Sequence, residues 1–255
     1  TNVQCTCEND KSVKPSLSNI PFTSASVASV LRKLKLKSCG GPDNVPPIFL
    51  KKCANNIAYP LAVLLHSSFN AGFIPAIWKL AYVTPLYKQG QRCEPCDFRP
   101  ISLTCSLCKV IEKKKKNELL KYLLVNNLIT KHQHGFLTKH STNSNLLDSV
   151  QDWILSLDCR SPVDIIYIDF TRAFESVVHQ KLLYKLESFG IKCELLAWIV
   201  TFLSDRRQCT VVENSFSDVA WVKSGVIQGS VLGPLLFIMF VNDVVAVINE
   251  DVINE

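Results

Sequence analysis

Asp169 is the residue whose type and position first suggest chemistry. It closes the run Val163-Asp164-Ile165-Ile166-Tyr167-Ile168. That run is short, apolar and rich in β-branched side chains, which predicts a buried strand. A carboxylate at the end of such a strand stands where open sheets usually hold their chemistry. Magnesium takes one or two carboxylates plus substrate phosphates, so a strand-end Asp supplies half of such a site. The same residue also reads as the N-cap of a following helix, accepting backbone N–H bonds. Spacing alone leaves both readings open and favours the cap. The pairs Cys93-x-x-Cys96 and Cys105-x-x-Cys108 raise zinc as a second chemistry. The segment between them, residues 97–104, is shorter than the usual loop between zinc pairs and reads as the start of a strand. Cys5-x-Cys7 has no partner pair nearby.

These residues need elements to position them. Ser24 to Leu36 predicts a helix capped by Ser24 or Ser26, with Val27, Val30, Leu31 and Leu34 at helical spacing. Gly40-Gly41-Pro42-Asp43 breaks it, and a second helical stretch runs from Pro47 to Phe69 and ends at Gly72. Ala81 to Tyr87 reads as a strand with its turn at Lys88-Gln89-Gly90. Residues 107–129 are helical, and the four consecutive lysines Lys113–Lys116 sit about 100° apart around that axis. They cannot all share one solvated face, so at least one is expected to point toward protein or nucleic acid; a solvated helix with snorkelling lysines is the blander reading.

Beyond Asp169 a helix carries Val178, Leu182, Leu186 and Phe189 on one face, with Gly190 after its last turn. Leu195 to Leu203 forms another. Gln208–Val212 and Ser217–Val222 predict a hairpin turning at Glu213-Asn214. Gly225 to Gly233 is a loop opening a final helix, with Pro234 in its first turn. Strand, helix, helix, hairpin, loop and helix make an α+β layer rather than a doubly wound sheet.

Composition narrows the function classes. Residues 1–160 hold 21 Lys and Arg against 10 Asp and Glu, whereas residues 161–255 hold 7 against 12. A basic part joined to an acidic part suits a protein that grips a polyanion with one and collects cations with the other; ordinary solvated surface charge gives the same numbers. The longest apolar stretch, Val231 to Val241, is shorter than the roughly 20 residues of a membrane span and contains Gly233 and Pro234. Thr1 opens the sequence with no secretory pattern after it, so the first residue is not expected to be a native start and the 11 cysteines are expected as thiols. Residues 1–20 are polar and patternless and read as a linker or frayed end.

Five ordered motifs then carry a resemblance. Tyr167-Ile168-Asp169-Phe170-Thr171-Arg172-Ala173-Phe174-Glu175-Ser176-Val177-Val178-His179 resembles motif A of reverse transcriptases from non-LTR retrotransposons. Ser224-Gly225-Val226-Ile227-Gln228-Gly229-Ser230-Val231-Leu232-Gly233-Pro234-Leu235-Leu236-Phe237 resembles their motif B. Phe98-Arg99-Pro100-Ile101-Ser102-Leu103 is similar to the fingers motif, Gln133-His134-Gly135-Phe136 to the segment after it, and Ser38-Cys39-Gly40-Gly41-Pro42-Asp43 to the element before it. The set covers about residues 38–243, and the resemblance is to LINE-type, jockey-like and related elements.

The resemblance implies a right-hand polymerase fold of the α+β class: an N-terminal extension over 1–37, fingers and pre-fingers over 38–160, a truncated palm over 161–255 and no thumb. The reverse transcriptase domain as a whole would span about 70–255. It implies RNA-directed DNA synthesis with two Mg²⁺ ions, an RNA template, a DNA primer and deoxynucleoside triphosphates. Asp169 would be the catalytic metal ligand, with the Phe170 carbonyl beside it. Phe174 would exclude the sugar 2′-hydroxyl, Gln228 and Gly229 would lie under the nascent base pair, and Lys88 and Arg99 would meet the triphosphate. Read from residues alone, Phe174 is a core aromatic, Gln228-Gly229 a helix-opening loop, and the two cations surface charge. The chain departs from the family where Glu175 replaces Asp, Ile227 replaces Pro, and the tetralysine replaces a mixed apolar stretch. It contains no Asp-Asp pair, the family's second carboxylate motif, so the alternative is an inactive nucleic-acid-binding remnant. An element of this class is translated in the cytoplasm and works at nuclear DNA.

Overall fold

Thr23 sits in extended backbone, and its hydroxyl accepts the Ser26 N–H at 3.2 Å. The cap of α1 (Ser24–Arg32) is therefore Thr23 and not Ser24 or Ser26, and the helix buries Val27, Ala28, Val30 and Leu31. The computed structural model describes residues 15–35 and 41–245. The Cys5/Cys7 pair, the opening of the Gly-Pro-Asp element at 38–40 and residues 246–255 lie outside that range.

The single helix expected from Pro47 to Phe69 is two, α2 (Pro47–Lys52) and α3 (Ala54–Asn70), separated at Cys53, where φ is −88° and ψ 9°. After Gly72, α4 (Ala76–Lys79) leads into β1 (Leu80–Tyr87). A tip containing the short 3-10 turn Pro95–Asp97 returns the chain as β2 (Phe98–Thr104), antiparallel to β1, with Val83 opposite Ser102. The register sets Pro85 against Pro100, two residues without an N–H, just past the part of β1 that pairs with its other neighbour.

That neighbour is β3 (Arg206–Val212), parallel to β1 with Leu80 opposite Arg207. The hairpin expected at Glu213-Asn214 is present. Its return strand is split into β4 (Ser215–Phe216) and β5 (Ala220–Val222), because Ser217 folds in and bonds Thr210 through both backbone and hydroxyl.

Helix α5 (Ser106–Val125) follows β2 directly, and the Asp43 carboxylate accepts the Leu107 N–H at 3.3 Å near its start. α7 (His179–Ser188), α8 (Cys193–Leu203) and α9 (Gly233–Val241) match their sequence readings closely. One apolar core joins Leu31, Leu65 and Phe69 to Ile111 and Leu119 and on to Leu182, Trp198, Phe202 and Leu235, so segments before and after residue 160 share it. Lys115, third of the four lysines, is fully buried in that core. The four-lysine argument is met by this one residue, whose half-buried neighbours Lys113 and Lys114 bond the Lys33 carbonyl and Glu118.

The strand expected at 163–168 is a correction. Val163 to Ile168 has no regular structure, and Ile166 and Tyr167 are 85% and 84% exposed. A β-branched apolar run becomes a strand only where a neighbour completes its ladder, and no described strand pairs with it. Helix α6 (Thr142–Asp158), which precedes it, is closed at its start by a Ser141–Ser144 capping box and buries none of its residues.

Candidate active site

Gly225 to Leu232 is the loop around which the site is assembled. Its Gly225 N–H donates to the Val177 carbonyl and its Val226 N–H to the Phe174 carbonyl, both at 2.8 Å. The His179 imidazole Nε2 lies 2.8 Å from the Gly225 carbonyl oxygen, and the Ser224 hydroxyl donates to the Glu175 carbonyl at 3.2 Å. The turn after Asp169 and the opening of the loop are thus bound to each other.

Further along, the Ser102 N–H of β2 donates to the Gln228 carbonyl at 2.7 Å. The next residue, Gly229, has φ +111°, and a Cβ there would stand 2.4 Å from the Ser102 carbonyl oxygen. Both the left-handed backbone and the contact require glycine. The loop therefore lies flat on the free edge of β2, which carries Arg99 three residues earlier.

The β1–β2 tip brings in the last member. The Lys88 N–H donates to the Asp97 carbonyl at 2.8 Å, the Tyr87 hydroxyl to the Gly90 carbonyl at 2.8 Å, and the Arg92 guanidinium stacks on the Tyr87 ring at 4.3 Å. Lys88 is held at the root of this tip.

A cleft of about 650 Å³ results, lined by Lys88, Arg99, Asp169, Phe170, Phe174 and Gln228. Six of the seven site residues expected from sequence share it; Gly229 adjoins through Gln228. Glu175 and Arg172 line it as well, with the Arg172 Nε 4.0 Å from the Glu175 carboxylate. Arg172 had been given no role, although a cation three residues after Asp169 was a visible signal. The cleft lining combines two carboxylates, Asp169 and Glu175, with three cations, Lys88, Arg99 and Arg172, a set that suits a metal-bound polyphosphate.

Asp169 is exposed and does not cap α7, whose N-cap is Val178 with no side-chain cap bond. Phe174 is half-buried and packed against the core. It lines the cleft, and its ring also stacks on Phe237 at 4.7 Å and meets Phe136 edge-on at 6.0 Å. Ile227, where the family has Pro, is buried beneath the loop.

The two cysteine pairs do not form one site. Cys93 and Cys96 are exposed on the tip, whereas Cys105 and Cys108 are fully buried. The Cys105 thiol donates to the Ile77 carbonyl at 3.0 Å, and burial pushes its pKa up to about 12. No cluster of three or more potential metal-ligating His, Cys, Asp or Glu side chains occurs among the described residues. No described helix is long and apolar enough to cross a membrane.

The reverse transcriptase (RNA-dependent DNA polymerase) family model matches residues 87–254, more than half of the chain, and the chain belongs to that family. It is 31% identical over 224 residues to a probable RNA-directed DNA polymerase from transposon BS of Drosophila melanogaster, covering 88% of this chain and 25% of that protein. It is 30% identical over 218 residues to the RNA-directed DNA polymerase from the mobile element jockey of the same fly, covering 85% and 24%. A shorter match, 26% over 88 residues, reaches the retrovirus-related Pol polyprotein from the type-1 retrotransposable element R2 of Popillia japonica, covering 34% of this chain and 14% of that protein. The chain thus spans about a quarter of the length of the first two relatives. The non-LTR resemblance read from the ordered motifs holds.

Proposed function

We propose that this chain supplies the fingers and palm of an RNA-directed DNA polymerase from a non-LTR retrotransposon. The observation that carries the reading is the cleft itself: Lys88, Arg99, Asp169, Phe170, Phe174 and Gln228 come from three distant stretches of sequence and open on one space. In this reading the fingers and pre-fingers fill residues 38–160 and the palm 161–255, after an N-terminal extension over 1–37.

The reaction is an in-line displacement. The primer 3′-hydroxyl attacks the α-phosphorus of a deoxynucleoside triphosphate, a new P–O bond forms, and pyrophosphate leaves. Reverse transcriptases generally use divalent metal ions. The Asp169 carboxylate and the Phe170 carbonyl are hard oxygen donors of the kind Mg²⁺ selects, and the adjoining cations suit the phosphates that complete its shell. Bound there, two Mg²⁺ ions would supply the Lewis acidity that activates the hydroxyl and neutralises the triphosphate. Arg99 grips phosphate oxygens with its planar fork, and Lys88 adds a mobile point charge. Phe174, held rigid by Phe237, faces the sugar so that a 2′-hydroxyl meets its ring. Gln228 and Gly229 form the seat on which the new base pair rests, set close against β2 because residue 229 has no side chain.

The test is binding by the chain itself. RNA–DNA hybrid should bind with a log–log salt slope of about 0.7 to 0.9 per phosphate contact. Addition of a deoxynucleoside triphosphate with Mg²⁺ should tighten the complex. Arg99→Ala and Lys88→Ala should each weaken that nucleotide effect about tenfold, the loss of one charge-assisted bond. A nucleotide effect that persists in the double substitution would remove the cleft from the account.

A further inference from the structure

Glu112 is a carboxylate with no exposed surface, carried on α5 along the same stripe as Cys108, Lys115 and Leu119. Burying a carboxylate costs several kcal/mol unless hydrogen bonds and nearby charge offset it. Its Oε2 accepts the Val231 N–H at 2.7 Å and the Leu232 N–H at 3.0 Å. Burial pushes the Glu112 pKa up, and the two N–H bonds together with Arg206, itself buried and bonded to the Phe202 and Trp78 carbonyls, oppose that only in part.

Leu232 is the N-cap of α9 and Val231 the residue before it, at the end where a helix has no partners of its own for its opening amides. The usual partner is a local Ser, Thr or Asp side chain at the N-cap, but the N-cap here is Leu232. Ser230 serves the Gly233 N–H, at 2.9 Å. The remaining bonds come from a residue 119 and 120 positions away.

The choice of a distant partner has a geometric effect. Ser102 and Glu112 belong to one continuous piece, β2 followed by α5. Ser102 holds the loop at the Gln228 carbonyl, and Glu112 holds it at Val231 and Leu232. The stretch from 228 to 231 is therefore pinned at both ends by the same rigid segment, and Gly229 lies between the pins.

We propose that Glu112 is a positioning residue: by accepting the Val231 and Leu232 N–H bonds it fixes the seat formed by Gln228 and Gly229 against β2. The proposal rests on the polymerase reading for what the seat does, and on geometry alone for the clamp.

Amide exchange on the 255-residue chain tests it. In the wild type, Val231 and Leu232 should be protected like the interior of α9, unlike the opening amides of an uncapped helix. In Glu112→Leu, exchange at Val231, Leu232 and Ser102 should rise about 100-fold while Leu65 and Ile199 stay unchanged, and hybrid affinity should fall about tenfold. Glu112→Gln keeps an acceptor oxygen at the same reach and should restore both readouts to within about threefold. Unprotected Val231 and Leu232 in the wild type, a measurement independent of whether any variant folds, overturns the proposal. So does a folded Glu112→Leu that keeps all three amides protected, or one that loses them with hybrid affinity intact. Failure of the wild type to bind hybrid while its amides are protected counts against the polymerase reading and not against the clamp.

Discussion

Lys115→Met should make this protein more stable, and the gain should depend on pH in a way few surface effects imitate. The Lys115 side chain is fully buried and its ammonium nitrogen has no hydrogen-bond partner. It faces the rings of Phe69 at 3.5 Å, Trp198 at 4.2 Å and Phe22 at 5.5 Å. Burial pushes its pKa from the usual 10.5 down to about 6. Between those two values the unfolded chain binds a proton that the folded chain does not. Stability therefore rises with pH across that window by about 1.4 kcal/mol per pH unit. The full burden falls on the protein below pH 6, and it is gone above pH 10.5.

At pH 7 this amounts to at most about 5 kcal/mol. The three ring faces attract the ammonium, each by about 0.5–2 kcal/mol, which acts by drawing the folded pKa upward and so reduces the cost at pH 7. Methionine fills a similar unbranched volume without the charge, so a gain of about 2–4 kcal/mol is expected at pH 7. Urea unfolding of both proteins from pH 6 to pH 10 measures it, and the difference between them cancels every other titrating group. The expected difference shrinks steadily as pH rises. A gain that does not vary with pH, or a variant less stable than the wild type at pH 7, would refute the buried-neutral-lysine argument.

Gly229→Ala should cost about 2–4 kcal/mol or displace the loop, since φ +111° and a 2.4 Å approach to the Ser102 carbonyl both oppose a Cβ; thermal unfolding with hybrid binding checks it, and a variant equal to wild type in both would show that the loop adapts freely. Phe174→Val, in a protein where this chain continues through an Asp-Asp motif, should raise ribonucleotide use relative to deoxyribonucleotide. It should also cost about 1–3 kcal/mol through the lost stack on Phe237. Unchanged sugar discrimination in an active variant would assign the ring to the core alone.

Much of the scaffold was legible because its signals are local. Periodic apolar residues mark α7 and α8, Pro234 marks the start of α9, and the alternating run before Lys88 marks β1. The run at 163–168 was misread because composition reports a preference for strand but not whether a partner strand is present. Helix α6 went unread although Leu146, Leu147, Val150, Ile154 and Leu157 recur near helical spacing, and the Ser141–Ser144 box marks its start. Glu112 could not be found from sequence, since a charged residue on a helix is ordinarily placed outside, and for Lys115 the sequence required only that one of four consecutive lysines turn inward, not which one. At the site, Asp169 read alone favoured a helix cap. The ordered motifs moved it to the cleft, where the structure sets it beside Phe170, Phe174 and Gln228.

The central claim is that Asp169 serves polymerisation and not folding or grip. Primer extension on an RNA template with Mg²⁺ tests it, using a protein in which this chain continues through an Asp-Asp motif, alongside its Asp169→Asn form. Extension should fall by about 10³-fold or more, as for loss of a group that acts on transition-state charge, while hybrid affinity stays within about threefold. Extension by Asp169→Asn at the wild-type rate would contradict the account, as would collapse of hybrid binding together with activity.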